Sequence, residues 1–146
     1  MSLSRLYQSA LLAHNRAPLN HHEMAHATHV ARGTDALCGD DIQVWLSIKA
    51  GRIGRASWTG EACAITTAAA SMLTEWLSGR PVDALAEAAA RFTDLLDDPE
   101  RSDIPEFGDL NSLRAVGEFP SRRRNALLPW KTALRAVEQG ARQRSN

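Results

Sequence analysis

The chain has 146 residues, 44% of them hydrophobic and 23% charged, which are the proportions of one soluble globular domain and not of a disordered chain. Seventeen Lys and Arg balance seventeen Asp and Glu. That argues against a non-specific nucleic-acid binder, which needs a basic excess to release counterions from phosphates. The two cysteines, Cys38 and Cys63, exclude a disulfide-dense scaffold and a self-contained four-cysteine metal site. No apolar run approaches the ~18 residues that span a membrane, and the first residues have neither the apolar core nor the cleavage site of a signal peptide. The expectation is one cytoplasmic domain, residues 1–146, with reduced thiols.

In chain order, Leu3, Leu6, Tyr7, Ala10 and Leu11 recur at helical spacing and predict an amphipathic helix ending near Pro18. Ile42, Val44, Leu46 and Ile48 then alternate with polar residues and with Trp45, which is the period of a strand with one buried face. Ala50-Gly51 predicts a tight turn, and Arg52 to Gly60 a second strand, together a β-hairpin. After Cys63 the period becomes helical. Ile65, Ala68, Met72, Leu73, Trp76 and Leu77 form a stripe that stops at Ser78-Gly79 and Pro81. Val82, Leu85, Ala89, Phe92 and Leu96 form a second stripe ending at Asp97-Asp98-Pro99. A loop to Gly108, a short helix over Asp109–Val116 and a long helix from Pro120 to about Gln139 complete the chain. Helix, strands, then helices is the order of an α+β fold: one small sheet with helices packed on one face.

Charge is balanced in total but segregated along the chain. Seven acidic residues lie between Asp94 and Asp109, and eight basic residues follow from Arg114 onward. These read either as solvated faces or as a docking surface centred on Arg122-Arg123-Arg124.

Two groups of residues have the types and spacing for chemistry. In Cys38-Gly39-Asp40 a thiol and a carboxylate two residues apart on extended chain point the same way, and Gly39 lets the backbone bend. Cys63 falls between the second hairpin strand and its helix, so both thiols can meet at one end of the sheet. They read as metal ligands or nucleophiles, or as two small buried apolar residues. The second group is His21, His22, His26 and His29, within which His22-Glu23-Met24-Ala25-His26 satisfies the H-E-x-x-H pattern of zinc hydrolases. As a helix stopped by Gly33, that pattern puts two imidazoles and a carboxylate on one metal. As a strand it is a histidine-rich surface, and one of its histidines is a further candidate for the thiol site. Trp58, Trp76 and Trp130 read as packing residues.

These residues resemble the U-type iron–sulfur cluster scaffold family, the SufU, IscU and NifU N-terminal group. Leu6-Tyr7, His14, Pro18 and Asn20 resemble its opening helix and exit, Cys38-Gly39-Asp40 its Cys-Gly-Asp motif, and Gly60-Glu61-Ala62-Cys63 its Gly-Glu-Gly-Cys motif with Ala62 for a glycine. Thr74–Arg80 and Phe119–Lys131 resemble later segments, and the stretch from Gly79 to Pro120 resembles the insertion of the SufU branch. The resemblance implies a first strand over Met24–Ala31, and so a sheet of about three antiparallel strands. It also implies zinc, iron or a nascent iron–sulfur cluster held by three cysteines and the aspartate. The implied partners are a cysteine desulfurase that supplies sulfur and downstream proteins that accept clusters. Cys38 would be the sulfur acceptor, and Cys38, Asp40 and Cys63 the ligands.

The third cysteine of that pattern aligns with Asn125, and a histidine ligand of the IscU branch with Arg124. A carboxamide is a poor substitute for a thiolate, so the implied set is one ligand short, its fourth position open to water or to a partner's sulfur. Pro129 predicts irregular backbone around the Asn125 carbonyl. The expected function is an iron–sulfur assembly scaffold or sulfur acceptor, not itself an enzyme. The alternatives are a degenerate member acting as an interaction or regulatory partner without binding a cluster, and the H-E-x-x-H zinc hydrolase.

Overall fold

The computed structural model describes residues 3–145, with side chains described from 8 to 140. Helix α1 (Leu3–Arg16) leads into three strands, β1 (His29–Asp35), β2 (Asp40–Lys49) and β3 (Arg52–Glu61). Helices α2 (Ala64–Leu77) and α3 (Asp83–Asp97), a 3₁₀ segment (Pro105–Val116) and helix α4 (Pro120–Ser145) follow. Leu11 packs against the core as its spacing predicts, while the side chains of Leu3, Leu6 and Tyr7 lie outside the described ones.

The sheet is antiparallel in the order β1-β2-β3. Ile42, Val44, Leu46 and Ile48 are all buried, so the alternation of β2 turns one apolar face inward. Ala50 and Gly51, at φ 52° and 75°, make the left-handed two-residue turn whose twist matches the flanking strands. Pairing shifts between Ser47 and Ile48, because Gly54 is an extra residue in β3. Helices α4 and α2 cover the apolar face, α4 over β1 and β2, α2 over β3. Runs of alanine on α2, with Ala68, Ala69 and Ala70 fully buried, leave room for it to approach its neighbours closely.

The structure corrects four expectations. The first strand starts at His29 and not near Met24, because Asn20 and His26 adopt left-handed φ of 57° and 63° and break the extended chain. Residues 19–21 instead run beside β3, where the Trp58 N–H donates to the Asn20 carbonyl at 2.9 Å. Gly33, taken as a helix stop in the hydrolase reading, lies in β1 opposite Ile42. The helix expected over Asp109–Val116 is a 3₁₀ segment that begins at Pro105 and kinks at Gly108 (φ 52°, ψ −123°). There Asn111 accepts the Ile104 N–H at 2.8 Å and donates to the carbonyls of Ile104 and Gly108. These side-chain bonds compete with a regular helical ladder. Helix α4, lastly, runs unbroken through Pro129 to Ser145.

Candidate functional site

The two thiols are linked through Asp40, the first residue of β2, Cys63 directly and Cys38 by way of Asn125. Gly39 at φ 72° turns the loop after β1, and the Asp35–Asp40 pairing closes that loop beneath Cys38. On the other side, β2–β3 pairing continues to Asp41 opposite Glu61. Cys63, the residue immediately before α2, therefore arrives beside Asp40. The close approach requires Gly60: a Cβ there would lie 2.1 Å from the Asp41 carbonyl oxygen.

Asp40 is 2% exposed, and its carboxylate is satisfied from several sides. Oδ1 accepts the Cys63 backbone N–H at 2.7 Å. Oδ2 accepts the Thr66 hydroxyl at 2.5 Å and Asn125 Nδ2 at 2.9 Å, and lies 3.7 Å from Cys63 Sγ. Thr66, one turn into α2, is a site residue that the sequence reading misses. Its only signal there is the i, i+3 spacing from Cys63, which puts both on one helix face.

Asn125 sits on α4 and is buried at 3% exposure. A carboxylate only accepts hydrogen bonds, so the amino end of the amide must face Asp40. The amide oxygen then faces Cys38 Sγ at 3.6 Å, where the thiol donates. The amide thus links Cys38 to Asp40, and both cysteines are half-buried and free of disulfide. Pro129 contributes to this arrangement. It lacks the N–H that would bond the Asn125 carbonyl, and the Thr66 hydroxyl lies 3.4 Å from that freed oxygen.

A metal ion at this site would need lone pairs of Cys38, Asp40 and Cys63 directed to one empty point. Those of Asp40 accept four hydrogen bonds, one of them from the Cys63 thiol, and the Asn125 amide stands between Asp40 and the Cys38 thiol. Among the described residues no group of three or more His, Cys, Asp or Glu side chains is disposed to hold an ion. The side chains as arranged do not fit the metal or cluster that the family resemblance implies.

The histidines do not assemble. His22 bonds the Glu23 carbonyl oxygen at 2.9 Å, and His26 lies in a left-handed turn, so the H-E-x-x-H segment is not helical and its imidazoles share no face. This overturns the hydrolase geometry. His21 stacks on Trp58 at 3.9 Å. His29 is buried, bonds Thr28 at 2.7 Å and packs under Gly140. His14 bridges Ser71 (2.7 Å) and Asp109 (3.0 Å). The order Ser–His–Asp is that of a hydrolytic triad, but Ser71 is fully buried and accepts the Leu19 N–H at 2.8 Å, so its hydroxyl is a structural link. Two of the three arginines in the basic run are paired within the chain, Arg123 with Asp97 (2.6 Å) and Arg124 with Asp35 (3.3 Å). A cleft of about 520 Å³ opens between α2 and the 3₁₀ segment, lined by His14, Trp76, Arg80 and Asp109 but by neither cysteine.

Comparison with known proteins agrees with this architecture. The profile of the NifU-like N terminal domain matches residues 6–126. The chain is 29% identical over 139 residues to the zinc-dependent sulfurtransferase SufU of Bacillus subtilis, covering 95% of this chain and 91% of that one. It is 25% identical over 139 residues to the iron-sulfur cluster assembly scaffold protein IscU of Streptococcus pyogenes, covering 95% and 87%. A nitrogen-fixing NifU-like protein (N-terminal) from Brucella abortus superposes with a TM-score of 0.84 at 20% identity, over 96% of this chain and 97% of that one. A protein described as an assembly scaffold for the SUF system of Fervidobacterium islandicum gives 0.81 at 21% identity, over 93% and 99%. At those identities the two structures establish the shared fold.

Proposed function

Because the chain belongs to the NifU-like N-terminal domain family, we propose that it serves iron–sulfur cluster assembly as a sulfur acceptor, with Cys38 receiving sulfur from a cysteine desulfurase and handing it on to downstream assembly proteins. The observation that carries this reading is the setting of Cys38. Its thiol lies on a surface turn beside Leu37, a leucine 84% exposed, and outside the 520 Å³ cleft. A half-buried thiol on a surface turn suits a sulfur donor presented by another protein, whereas a small substrate calls for an enclosing pocket.

The transfer balances without a cofactor. The Cys38 sulfur, as thiolate, attacks the outer sulfur of the desulfurase persulfide. One S–S bond forms on Cys38 as the donor's S–S bond breaks, and the proton given up by Cys38 ends on the donor thiol. Nothing is oxidised or reduced overall. Asp40, Thr66 and Asn125 hold the turn in place for the attack. No zinc, iron or nascent cluster enters this step, since the polar groups of the site are committed to one another. In this reading the protein is a carrier, and turnover resides in the desulfurase.

The test is to incubate the protein with a cysteine desulfurase and cysteine, then read the mass of the Cys38 peptide. One added sulfur atom is expected on Cys38, lost in Cys38→Ser and kept in Cys63→Ser. Stimulation of the desulfurase without sulfur on Cys38 would replace this reading with that of a regulatory partner.

A further inference from the structure

We infer that the Asn125 carboxamide replaces a metal ion in this site, holding Cys38 against Asp40 by hydrogen bonds, so that the site works without a metal. The inference deepens the function proposed above and rests on it for its bearing on sulfur transfer, but not for the site's indifference to metals.

A metal in such a site does two structural jobs. It links side chains from separate elements, and it compensates a buried carboxylate. In this chain the amide does both. Its oxygen faces the Cys38 thiol at 3.6 Å, on the loop after β1, and its amino group donates to Asp40 at 2.9 Å, on β2. Asn125 itself is fixed on α4, so loop, strand and helix are joined through one side chain. Asp40 gains its remaining donors from the Cys63 N–H at the start of α2 and from Thr66. A buried carboxylate with three strong donors has the compensation it needs with no cation beside it.

Two neighbouring features support a site built around the amide. Pro129 leaves the Asn125 carbonyl without its usual helical donor, and the Thr66 hydroxyl, whose one proton goes to Asp40, packs 3.4 Å from it. Arg124, adjacent to Asn125, is turned to Asp35 at the end of β1, so its guanidinium is tied down just before the loop that bears Cys38. A bidentate or chelating arrangement is thereby replaced by a closed chain of donors and acceptors, thiol to amide to carboxylate. A metal could enter only by displacing the amide, which would leave a buried carboxamide without its partners.

The test uses the purified full chain, cobalt(II) as a spectroscopic probe and zinc as a stabiliser. The wild type is expected to develop no saturable thiolate-to-cobalt charge-transfer absorption at equimolar metal, and its melting temperature is expected not to move with zinc. Asn125→Cys supplies a third thiol and removes the amide, so it should show the cobalt band, bind at least about 100-fold tighter and be stabilised by zinc. The inference is overturned if the wild type gives the cobalt band and Cys38→Ser removes it, or if a folded Asn125→Cys binds no tighter. Should Asn125→Cys not fold, the wild-type titration decides alone. Persulfide loading of the wild type in the presence of a chelator separates the two proposals. Loading without metal supports both. A metal-free wild type that never takes up sulfur leaves this inference standing and overturns the proposed function. Loading that needs added zinc overturns this inference alone.

Discussion

Asp40 is the residue on which the site depends, because it is buried and its carboxylate is the common acceptor for groups from α2 and α4. Asp40→Ala would leave the Cys63 N–H, the Thr66 hydroxyl and the Asn125 amino group without that acceptor. Each unsatisfied buried group costs about 1–3 kcal/mol, so urea denaturation should show a loss of at least about 2 kcal/mol. Thr66→Val, which removes one donor of similar volume, should cost about 1–2 kcal/mol. An Asp40→Ala variant as stable as the wild type would show that the network does not hold the site together. The adjacent Asp41 behaves differently. Arg32 donates to it at 2.8 and 2.6 Å on the exposed face of the sheet, and these hydrogen bonds first of all hold its carboxyl below the ordinary carboxylate range. Its proton is bound more tightly in the unfolded chain. The pair therefore contributes fully above the ordinary carboxylate pKa and fades as pH falls through the lowered one. The exposure of both side chains makes that contribution small and sensitive to salt.

At the scale of elements, two places combine a sequence signal with a steric demand. Ala50 is held at φ 52° in the β2–β3 turn, a conformation that costs a side chain such as alanine about 1–2 kcal/mol and that asparagine tolerates better. Ala50→Asn should therefore raise stability by about 0.5–1 kcal/mol and raise the melting temperature. A lower melting temperature would mean that the turn is not left-handed in solution. Gly117, between the 3₁₀ segment and α4, has an ordinary φ of −63°, but a Cβ on it would lie 1.9 Å from the Leu96 carbonyl oxygen. Gly117→Ala must push α3 away from this junction and should destabilise by about 1–3 kcal/mol, the range of overpacked sites. The same junction shows what becomes of the segregated charge. Asp97, Asp103, Glu106 and Asp109 of the acidic stretch pair with Arg123, Arg114, Arg91 and His14. Two of these pairs, Arg123–Asp97 and Arg114–Asp103, join the acidic tract to the basic one, and Arg122 lies over the Phe119 ring at 5.2 Å.

Over the whole molecule, the apolar face of the sheet, α2 and α4 form one core that continues into an aromatic cluster beneath α3 and the 3₁₀ segment. Trp130 stacks on Phe92 at 4.9 Å, and Trp76 meets Phe107 edge-on at 5.5 Å. Trp130 is 1% exposed, and its indole N–H finds no acceptor among the described residues. Trp130→Ala should cost about 3–5 kcal/mol. Trp130→Phe should cost much less, because removing an unsatisfied N–H offsets part of the lost packing. Equal losses in the two variants, measured by urea denaturation, would show that the indole nitrogen is satisfied. The cluster anchors α4 to α3 five residues beyond Asn125, so the helix that carries the amide is held by the core and not by the site itself.

By itself the sequence determined whatever depends on neighbours along the chain. Strand β2, the Ala50-Gly51 turn and the stripes of α2 and α3 follow from periodicity and from glycine and proline placement, which act over a few residues. The convergence of Cys38, Asp40 and Cys63 was legible for the same reason, since a hairpin leaves its ends side by side. The family pattern also marked position 125 as the place of a missing thiol. Tertiary structure alone decided what the asparagine there does. The bonds from Asn125 to Asp40 and to Cys38 join residues more than eighty positions apart, as does the burial of His29 under Gly140. The turns at Asn20 and His26, which dissolve the H-E-x-x-H helix, are flanked by bonds to other strands, Asn20 to Trp58 of β3 and Thr28 to Leu46 of β2, that local propensity does not record. Contacts through space select among conformations that are nearly equal in local energy, and for that reason they could not be read from the chain one segment at a time.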